Sequence, residues 1–300
     1  MNLGTLQSSQ KTTNGDAAAA PRSGIVWLAS YPKSGNTWTR TFLHNLVHVT
    51  SGKSQIQEIN ELDQFSVGIA SRTLFENFLG FKVTDKDRDQ IAATRARIQQ
   101  HIAHAVDGLA FVKTHQALVA DRGHITINFS VTAGAIYIVR NPLDVAISYA
   151  HHLGQSLDWV IDFMNLKNAE TEITEKQVNE TYGSWSQHVL SWTRKPHPAI
   201  YVMRYEDMLN EPEKTFGALA RHLLFKPNDE QLADTIERSS FEQLREQEEK
   251  EGFRERPEQA KRFFREGRAG QWKDVLTPQQ VQRIVDAHGE QMQRFGYLPL

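Results

Sequence analysis

The sequence has no cysteine, and this absence excludes several kinds of site at once. Without a thiol the chain can form no disulfide, no thiolate metal site and no cysteine nucleophile. It also has no apolar run that approaches the ~18 residues needed to span a bilayer. Neither sign of charge dominates, since 34 Lys and Arg residues are balanced by 36 Asp and Glu residues. This balance argues against a protein that binds nucleic acid or a membrane surface through a general basic field.

Residues 1–22 are polar and rich in Ser, Thr and Ala. They lack the apolar core of a signal peptide, so we predict a disordered leader and a cytoplasmic protein. The whole chain is 39% hydrophobic and 23% charged, which is typical of a globular protein. Its length allows a full core, and we find no internal repeat or linker. We therefore predict one domain over residues 23–300.

Four short apolar runs alternate with helical patterns along the chain. The runs cover residues 25–29, 109–113, 135–139 and 199–203, and we predict strands that are buried on both faces. Helical patterns run from Ile91 to Val106, from Pro142 to about Gly154, around Trp185, and onward from Pro212 and Pro278. This alternation predicts an α/β fold, a single domain with a central, mostly parallel sheet flanked by helices. Ligands of such sheets bind at the carboxyl ends of the strands.

Two polar features have a simple interpretation. Residues 242–262 are highly charged, which predicts a solvated helix or a mobile loop. The pairs His101/His104 and His151/His152 have no carboxylate nearby in a zinc-protease pattern, so we assign them to solvated helix faces. No metal site is predicted.

The segment Tyr31-Pro32-Lys33-Ser34-Gly35-Asn36-Thr37-Trp38 lies between the first predicted strand and a helix. Free backbone N–H groups at a helix start, with hydroxyls and a lysine beside them, form a strong phosphate site. The pattern of a nucleotide-triphosphate loop, G-x-x-x-x-G-K-[ST], is absent because the lysine precedes the glycine here. We therefore predict a P-loop-like anion site; an incidental polar surface loop is the alternative.

Arg140 ends the third predicted strand, and Ser148 follows two helical turns later. A guanidinium matches phosphate oxygens with two hydrogen bonds. Nucleotide-triphosphate hydrolases and kinases often have an acidic residue here to orient Mg²⁺, so an arginine indicates an anion site that works without metal. The alternative is an ion pair with Asp144 that braces the helix start.

Lys113 and His115 follow the second predicted strand on one side of the chain. Histidine is the side chain best suited to take a proton near neutral pH, and a lysine beside it can stabilise negative charge, although a lone histidine is more often structural. Residues 263–273 combine glycines, basic residues and aromatics, as in a loop that folds over an anion. The alternative is a charged surface loop with Trp272 in the core.

Six segments in this order resemble the cytosolic-type sulfotransferases, as a bacterial-like member. They are residues 31–38, 112–115, 138–149, 182–185, 205–208 and 265–273, and the resemblance spans roughly residues 25–295. That family moves a sulfuryl group from 3′-phosphoadenosine 5′-phosphosulfate (PAPS) to an acceptor and releases 3′-phosphoadenosine 5′-phosphate (PAP). The resemblance implies PAPS as co-substrate, without metal.

The resemblance also implies roles for individual residues. The implied catalytic residues are His115 as proton acceptor, Lys33 at the bridging oxygen, Lys113 and Ser148. Lys33, Ser34, Gly35, Asn36 and Thr37 would hold the 5′-phosphosulfate, and Arg140, Ser148, Arg265 and Gly267 the 3′-phosphate. Trp38, Tyr205, Ser239 and Phe241 would line the adenine site. Glu266 stands where the family often has lysine, so only its backbone would help, and the dimer motif of animal members is only partly present around Lys273.

The acceptor is left open as a hydroxyl or an amine of a small, partly apolar molecule. Candidate pocket residues are Phe65, Phe75, Phe78, Phe81, Trp159, Phe163 and Met164, for each of which core packing is as good an interpretation. The hypothesis is a single in-line displacement with His115 as general base. Two alternatives are a small-molecule kinase, with Asp207 as its metal carboxylate, and a sensor that binds the nucleotide without turnover. The oligomeric state is open.

Overall fold

The computed structural model describes residues 23–53 and 55–299. The predicted leader, residues 1–22, lies outside the described residues. The strands are β1 (Gly24–Ser30), β2 (Ser66–Gly68), β3 (Leu109–Thr114), β4 (Ala120–Asp121), β5 (His124–Ile125), β6 (Thr132–Val139) and β7 (Ile200–Arg204). A five-stranded sheet has the order β2-β3-β1-β6-β7, and all its neighbouring strands are parallel. Strands β4 and β5 form a small antiparallel pair.

Helices connect the strands and cover both faces of the sheet. They are α1 (Asn36–Thr50), α2 (Leu62–Phe65), α3 (Arg72–Leu79), α4 (Arg88–His104), α5 (Pro142–Leu153), α6 (Leu157–Asn165), α7 (Trp185–Thr193), α8 (Tyr205–Asn210), α9 (Pro212–His222), α10 (Asp229–Arg238), α11 (Phe241–Glu251), α12 (Trp272–Val275) and α13 (Pro278–Arg294). The predicted fold class, a single α/β domain with a parallel central sheet, is confirmed. Within the described part of the chain no helix is long and apolar enough to cross a membrane.

The core has two layers because successive side chains of a strand point to opposite faces. Ile25, Trp27 and Ala29 of β1 pack on the side of α4, α5, α6, α7 and α13. Val26 and Leu28 pack on the other side, which includes α1 and α9. Because both faces of β1 are buried, its residues 25–29 form a continuous apolar run, and its position could be predicted from the sequence.

The prediction that all four strands are buried on both faces is wrong for two of them. Strands β1 and β6 are almost wholly buried, but β7 is an edge strand and Val202 on it is 37% exposed. On the side away from β1, the neighbour of β3 is the three-residue strand β2, which pairs with residues 111–113 only. Leu109 at the start of β3 is 43% exposed. Strand β2 was not predicted, because Ser66-Val67-Gly68 has no apolar run to reveal it.

Local signals set the helix ends well. Asn141 caps α5 by accepting from Leu143 N–H, and Gly154 ends the helix in the left-handed conformation. Thr277 forms a capping box before Pro278. The predicted helical position of Val106 is wrong, because α4 ends at His104 and Val106 lies 44% exposed beyond it.

Residues 242–262 are not simply solvated or mobile, which corrects that prediction. Helix α11 buries Leu244 and Glu248, and Phe253 after it is buried in a small cluster with Phe264. The charged exterior of this segment hides an apolar face, and one of its carboxylates reaches the site described next.

Candidate functional site

A cavity of about 1060 Å³ opens at the carboxyl ends of the parallel strands. Its lining includes Lys33 after β1, His115 after β3, Arg140 after β6 and Tyr205 after β7. These residues come from distant parts of the chain, and they meet because parallel strands end at one edge of the sheet. The predicted location of the site is therefore where the structure has its large cavity.

Two residues of the loop between β1 and α1 lie in the left-handed backbone region. Lys33 and Gly35 both have positive φ, 66° and 105°. A Cβ on Gly35 would lie 2.8 Å from a ring carbon of Tyr205, so the close approach requires glycine. Asn36 lines the cavity, and its side-chain amide nitrogen donates to Leu28 O at 2.8 Å and ties the loop to β1. What remains for an anion is the helix start itself.

Lys33 lies in a mixed basic and aromatic environment. Its Nζ donates to Nδ1 of His152 at 3.2 Å and lies 4.0 Å from the ring centroid of Phe263. Burial, with the charges of Arg140 and Lys113, lowers its pKa to about 7. The predicted solvated position of His152 is wrong, since this side chain lines the cavity and burial lowers its pKa to about 3. His101 and His104 are exposed on α4, as expected.

Arg140 is held beside the loop between β1 and α1, and its Nε is without a hydrogen-bond partner. Its Nη1 donates to Lys33 O at 2.8 Å, and its guanidinium lies 4.1 Å from the ring centroid of Tyr205. Arg140 Nε is buried without a hydrogen-bond partner. A buried donor of this kind is normally satisfied, so this guanidinium fits an anionic group. Ser34 Oγ is also unpartnered, but Ser34 is fully buried and is not among the residues that line the cavity.

The alternative of an Arg140–Asp144 ion pair is wrong. Asp144 instead accepts from the backbone N–H groups of Gly270 and Trp272, at 2.6 and 3.0 Å. The carboxylate therefore anchors the basic loop, residues 265–273, against the start of α5. This loop lines the cavity with Arg265, Glu266 and Gly267.

His115 has a defined tautomer. Its Nδ1 lies 2.8 Å from Ser30 O, and a carbonyl oxygen only accepts, so Nδ1 carries the proton. Nε2 therefore has a free lone pair. Burial and the nearby charge of Lys113 lower the pKa of His115 to about 3, so the ring is neutral at physiological pH.

Buried hydrogen bonds also fix the backbone of His115. Its N–H donates to Glu180 at 3.0 Å, and His188 Nε2 donates to its carbonyl oxygen at 3.0 Å. Tyr137 hydroxyl donates to Nδ1 of His188 at 2.9 Å. Burial raises the pKa of Glu180. These bonds involve backbone atoms of His115, so they do not depend on its ring.

Lys113 forms an ion pair that the sequence did not reveal. Its Nζ lies 2.9 Å from Glu255, and the other oxygen of Glu255 lies 2.6 Å from Arg40. Burial opposes ionisation of Glu255, but Lys113 and Arg40 outweigh it and hold its pKa far below the usual range. Residues 242–262 contain many acidic residues, and nothing in their spacing distinguishes Glu255.

Three of the four residues of the predicted adenine site line the cavity, and all three are aromatic. Trp38, Tyr205 and Phe241 line the cavity, and the rings of Trp38 and Tyr205 are 5.8 Å apart. Ser239 does not line it, because this residue is fully buried and its hydroxyl donates to Thr235 O. Ser148 lines the cavity from α5.

Arg265 and Glu266 have partners within the basic loop. Arg265 pairs with Glu266 at 3.2 Å and bonds to Gln271. Glu266 also contacts Arg268 at 3.3 Å. The acidic side chain is thus balanced by two arginines of its own loop.

Gly267 is packed so closely that alanine should not fit. A Cβ there would lie 2.4 Å from a carbon of the Phe241 ring, and φ is 62°. We expect Gly267→Ala to lower stability by about 1–3 kcal/mol through overpacking, in urea unfolding. Gly270→Ala is the matched control, because its φ is 79° but no atom lies within 4 Å of an added Cβ. Equal losses in both variants would contradict the close packing on Phe241.

Most of the predicted acceptor-pocket aromatics do not line the cavity. Trp159 and Phe163 do, and their rings are stacked 5.5 Å apart. Phe75 and Met164 are fully buried core residues, and Phe81 is 40% exposed on the surface. Phe65 packs on Phe111 and Phe78 on α4, away from the cavity lining. Phe263 and Phe264, which were not among the predicted pocket residues, line it instead.

Asp207, the metal carboxylate of the kinase alternative, does not reach the cavity. It lies 42% exposed and pairs with Arg204 at 3.4 Å. Among residues 23–53 and 55–299 no group of three or more His, Asp or Glu side chains is arranged to hold a metal ion.

Comparisons with known proteins agree with this architecture. The family model of the sulfotransferase domain matches residues 24–296. The chain is 31% identical to sulfotransferase 1B1 of Mus musculus over 90% of this chain and 83% of that protein. It is 26% identical to flavonol 3-sulfotransferase of Flaveria bidentis over 86% of this chain and 78% of that protein.

A solved structure has the same fold. Mouse sulfotransferase SULT7A1, solved as a complex with PAP, superposes with a TM-score of 0.59 at 19% identity, over 91% of this chain and 86% of that one. The matched family model covers nearly the whole chain, and it includes each strand that supplies the cavity. The chain therefore belongs to the sulfotransferase family.

Proposed function

We propose that this protein transfers a sulfuryl group from PAPS to a hydroxyl or amine of a small, partly apolar acceptor. The observation that carries the proposal is one cavity in which a basic phosphate site adjoins a neutral histidine with a free lone pair. The buried, unpartnered Nε of Arg140 supports an anionic ligand. Sulfuryl transfer from PAPS is the general activity of the family, and SULT7A1 was solved with PAP.

The donor nucleotide is proposed to lie along the strand ends. The helix start at Ser34, Gly35, Asn36 and Thr37 would bind the 5′-phosphate through backbone N–H groups. The 3′-phosphate would lie among Arg140, Ser148, Arg265 and the backbone of Gly267, which all line the cavity. Trp38, Tyr205 and Phe241 would hold the adenine by stacking. We leave Ser239 out of this site because its hydroxyl is already bonded within the core.

The proposed reaction is a single in-line displacement. The acceptor oxygen or nitrogen forms a bond to sulfur while the bond from sulfur to the bridging oxygen breaks. That oxygen keeps the electron pair and leaves as part of PAP, and the acceptor proton goes to Nε2 of His115. Lys33 would stabilise the charge that gathers on the bridging oxygen, with Lys113 beside the sulfuryl group.

The low pKa of His115 in the free protein suits this role once the ligand is bound. A pKa of about 3 keeps Nε2 unprotonated, but makes it a weak base. The phosphates and sulfate of PAPS would bring negative charge beside His115 and Lys113. Opposite charge favours the protonated ring, so the pKa rises in the complex. The base would thus become stronger only when the donor is in place.

The geometry weighs against the kinase alternative, since Asp207 pairs with Arg204 outside the cavity. A sensor without turnover would need the same nucleotide site but no proton acceptor. The free Nε2 of His115 in the cavity therefore favours an enzyme. Measured turnover of PAPS would distinguish the enzyme from the sensor.

The test is an assay with sulfur-labelled PAPS and a panel of phenols, alcohols and amines. We expect labelled product and an equal amount of PAP, and no transfer from ATP. Arg140→Met should raise the KM for PAPS about tenfold or more, because a charge-assisted hydrogen bond to phosphate is lost. Arg97→Met, at an exposed position on α4, is the matched control. Phosphoryl transfer from ATP, or PAPS binding without PAP formation across the panel, would contradict the proposal.

A further inference from the structure

The proposed donor site gives Arg40 no role, and it places Lys113 only beside the sulfuryl group. Lys33, Arg140 and Arg265 are assigned to the nucleotide. Arg40 and Lys113 converge instead on the two oxygens of Glu255, at 2.6 and 2.9 Å. All three groups line the cavity, so a carboxylate occupies an anion position next to the reacting centre.

Arg40 needs an anion at this position. Its side chain is only 1% exposed, on α1, and its Nε donates to Ser66 Oγ at 2.7 Å. A buried guanidinium cannot exchange its partner for water at low cost. Asp63, the other acidic group nearby, is 3.8 Å away and 66% exposed. Helix α1 therefore supplies a buried cation, and the charge of Arg40 must be matched by an anionic group in the cavity.

The anion that pairs with Arg40 is Glu255, which lies in a loop and not in a helix or strand. Glu255 lies in residues 252–264, which we call the covering loop and several of which line the cavity. The loop is anchored at its ends, where Gly252 O accepts from Asn60 and Phe264 N–H donates to Glu248. Between these ends the N–H groups of Arg256 and Ala260 bond only within the loop, and the side chain of Gln259 donates to His152 O at 3.2 Å.

Lys113, one cation of the anion position, lies near His115 along the chain. The two residues are two positions apart, so in an extended chain their side chains share one side and their backbone positions are roughly 7 Å apart. An acceptor with its nucleophilic oxygen at His115 Nε2 and an acidic group about that far away would reach Lys113 and Arg40. The stacked rings of Trp159 and Phe163 line the same cavity, which suits a flat spacer between the two groups.

We propose that Arg40 and Lys113 form a subsite for an anionic group of the acceptor, and that Glu255 occupies it until the acceptor binds. The preferred acceptors are then hydroxy acids, such as phenolic acids, rather than neutral phenols. This inference rests on the proposed function, because it concerns the acceptor of that reaction. The incoming carboxylate replaces the carboxylate of Glu255, so Arg40 keeps an anionic partner throughout.

The first test compares two acceptors of matched shape, para-hydroxyphenylacetate and its neutral amide. With PAPS the wild-type protein should have a kcat/KM at least about tenfold higher for the acid, since charge-assisted hydrogen bonds distinguish the two. In Arg40→Gln/Glu255→Gln, which removes the charges of Arg40 and Glu255 together, the ratio should fall several-fold, because only Lys113 is left to bind the acid. Similar kcat/KM values for acid and amide in the wild type would overturn the inference, while turnover of the amide would leave the proposed function standing.

The second test needs no turnover. In Glu255→Gln the buried Arg40 loses its partner, so the acid should raise the Tm of this variant more than that of the wild type, with PAP present or absent. The amide should raise neither. Glu246→Gln, at an exposed position on α11, is the matched control. If the acid raises the Tm of Glu255→Gln no more than the amide does, Glu255 is only a structural partner of Arg40, and the subsite is refuted.

Discussion

Replacing His115 with alanine should lower kcat by on the order of 10²–10⁴-fold while PAP binding stays close to wild type. The reason is the tautomer: Nδ1 donates to Ser30 O, so Nε2 is the ring atom that can take the acceptor proton. The measurement is the rate of sulfuryl transfer at saturating labelled PAPS, with PAP affinity determined by calorimetry.

The fold should survive this change. The bonds from His115 to Glu180 and from His188 involve its backbone N–H and C=O, which alanine retains. His101→Ala, at an exposed position on α4, is the matched control. A folded His115→Ala protein with a kcat near that of wild type would remove the proton-acceptor role, and a similar loss in both variants would indicate a nonspecific effect.

Replacing Lys33 with methionine should lower kcat by on the order of 10²–10³-fold, the range for loss of one preorganised donor to a developing oxyanion. Lys33 follows β1 with positive φ, beside the helix start and within hydrogen-bond distance of His152. Methionine keeps the length and the contact with Phe263 but cannot donate. Lys53→Met, at an exposed position, is the control.

Lys33 should also make nucleotide affinity pH-dependent. In the free protein its pKa is lowered to about 7, first by burial and then by Arg140 and Lys113. A bound phosphosulfate favours the ammonium form and raises this pKa, so binding takes up a proton between the two pKa values. Affinity should therefore fall as pH rises above about 7. Calorimetry of PAP and PAPS binding in buffers of different ionisation enthalpy measures the proton uptake directly.

Two variants sharpen that pH experiment. Lys33→Arg keeps a positive charge throughout, so the proton uptake near neutral pH should disappear while binding persists. Lys33→Met should abolish the uptake and weaken binding at every pH below about 7. In the free protein His152 titrates well below this range, because burial and then Lys33 lower its pKa to about 3. Unchanged proton uptake in both variants would show that another group titrates.

Much of the fold could be predicted because its signals are local. The buried run of β1, the cap at Asn141 and the capping box at Thr277 each depend on neighbouring residues. The edge strand β7 was placed correctly in sequence but not in burial, since exposure depends on which strands flank it. The three-residue β2 had no pattern to detect.

The same distinction applies to the site. Lys33, His115 and Arg140 could be nominated from the sequence because each directly follows a strand of the parallel sheet, and the structure has all three around one cavity. Ser239 was nominated by resemblance alone, and its hydroxyl is bonded in the core. His152 was misassigned because a helical histidine pair does not show which member faces inward.

The sequence by itself determined the class of the fold and the edge of the sheet where the cavity lies, and it predicts an anion site there. These follow from short-range patterns and from the rule that parallel strands end together. Only the tertiary structure decided which polar groups meet. It pairs Glu255 with Arg40 and Lys113, bonds Asp144 to the backbone of Gly270, and leaves Nε of Arg140 without a partner. The physical reason is range. A strand or helix is specified by adjacent residues, whereas an ion pair between residues 40 and 255 exists only once packing has brought two remote segments within 3 Å.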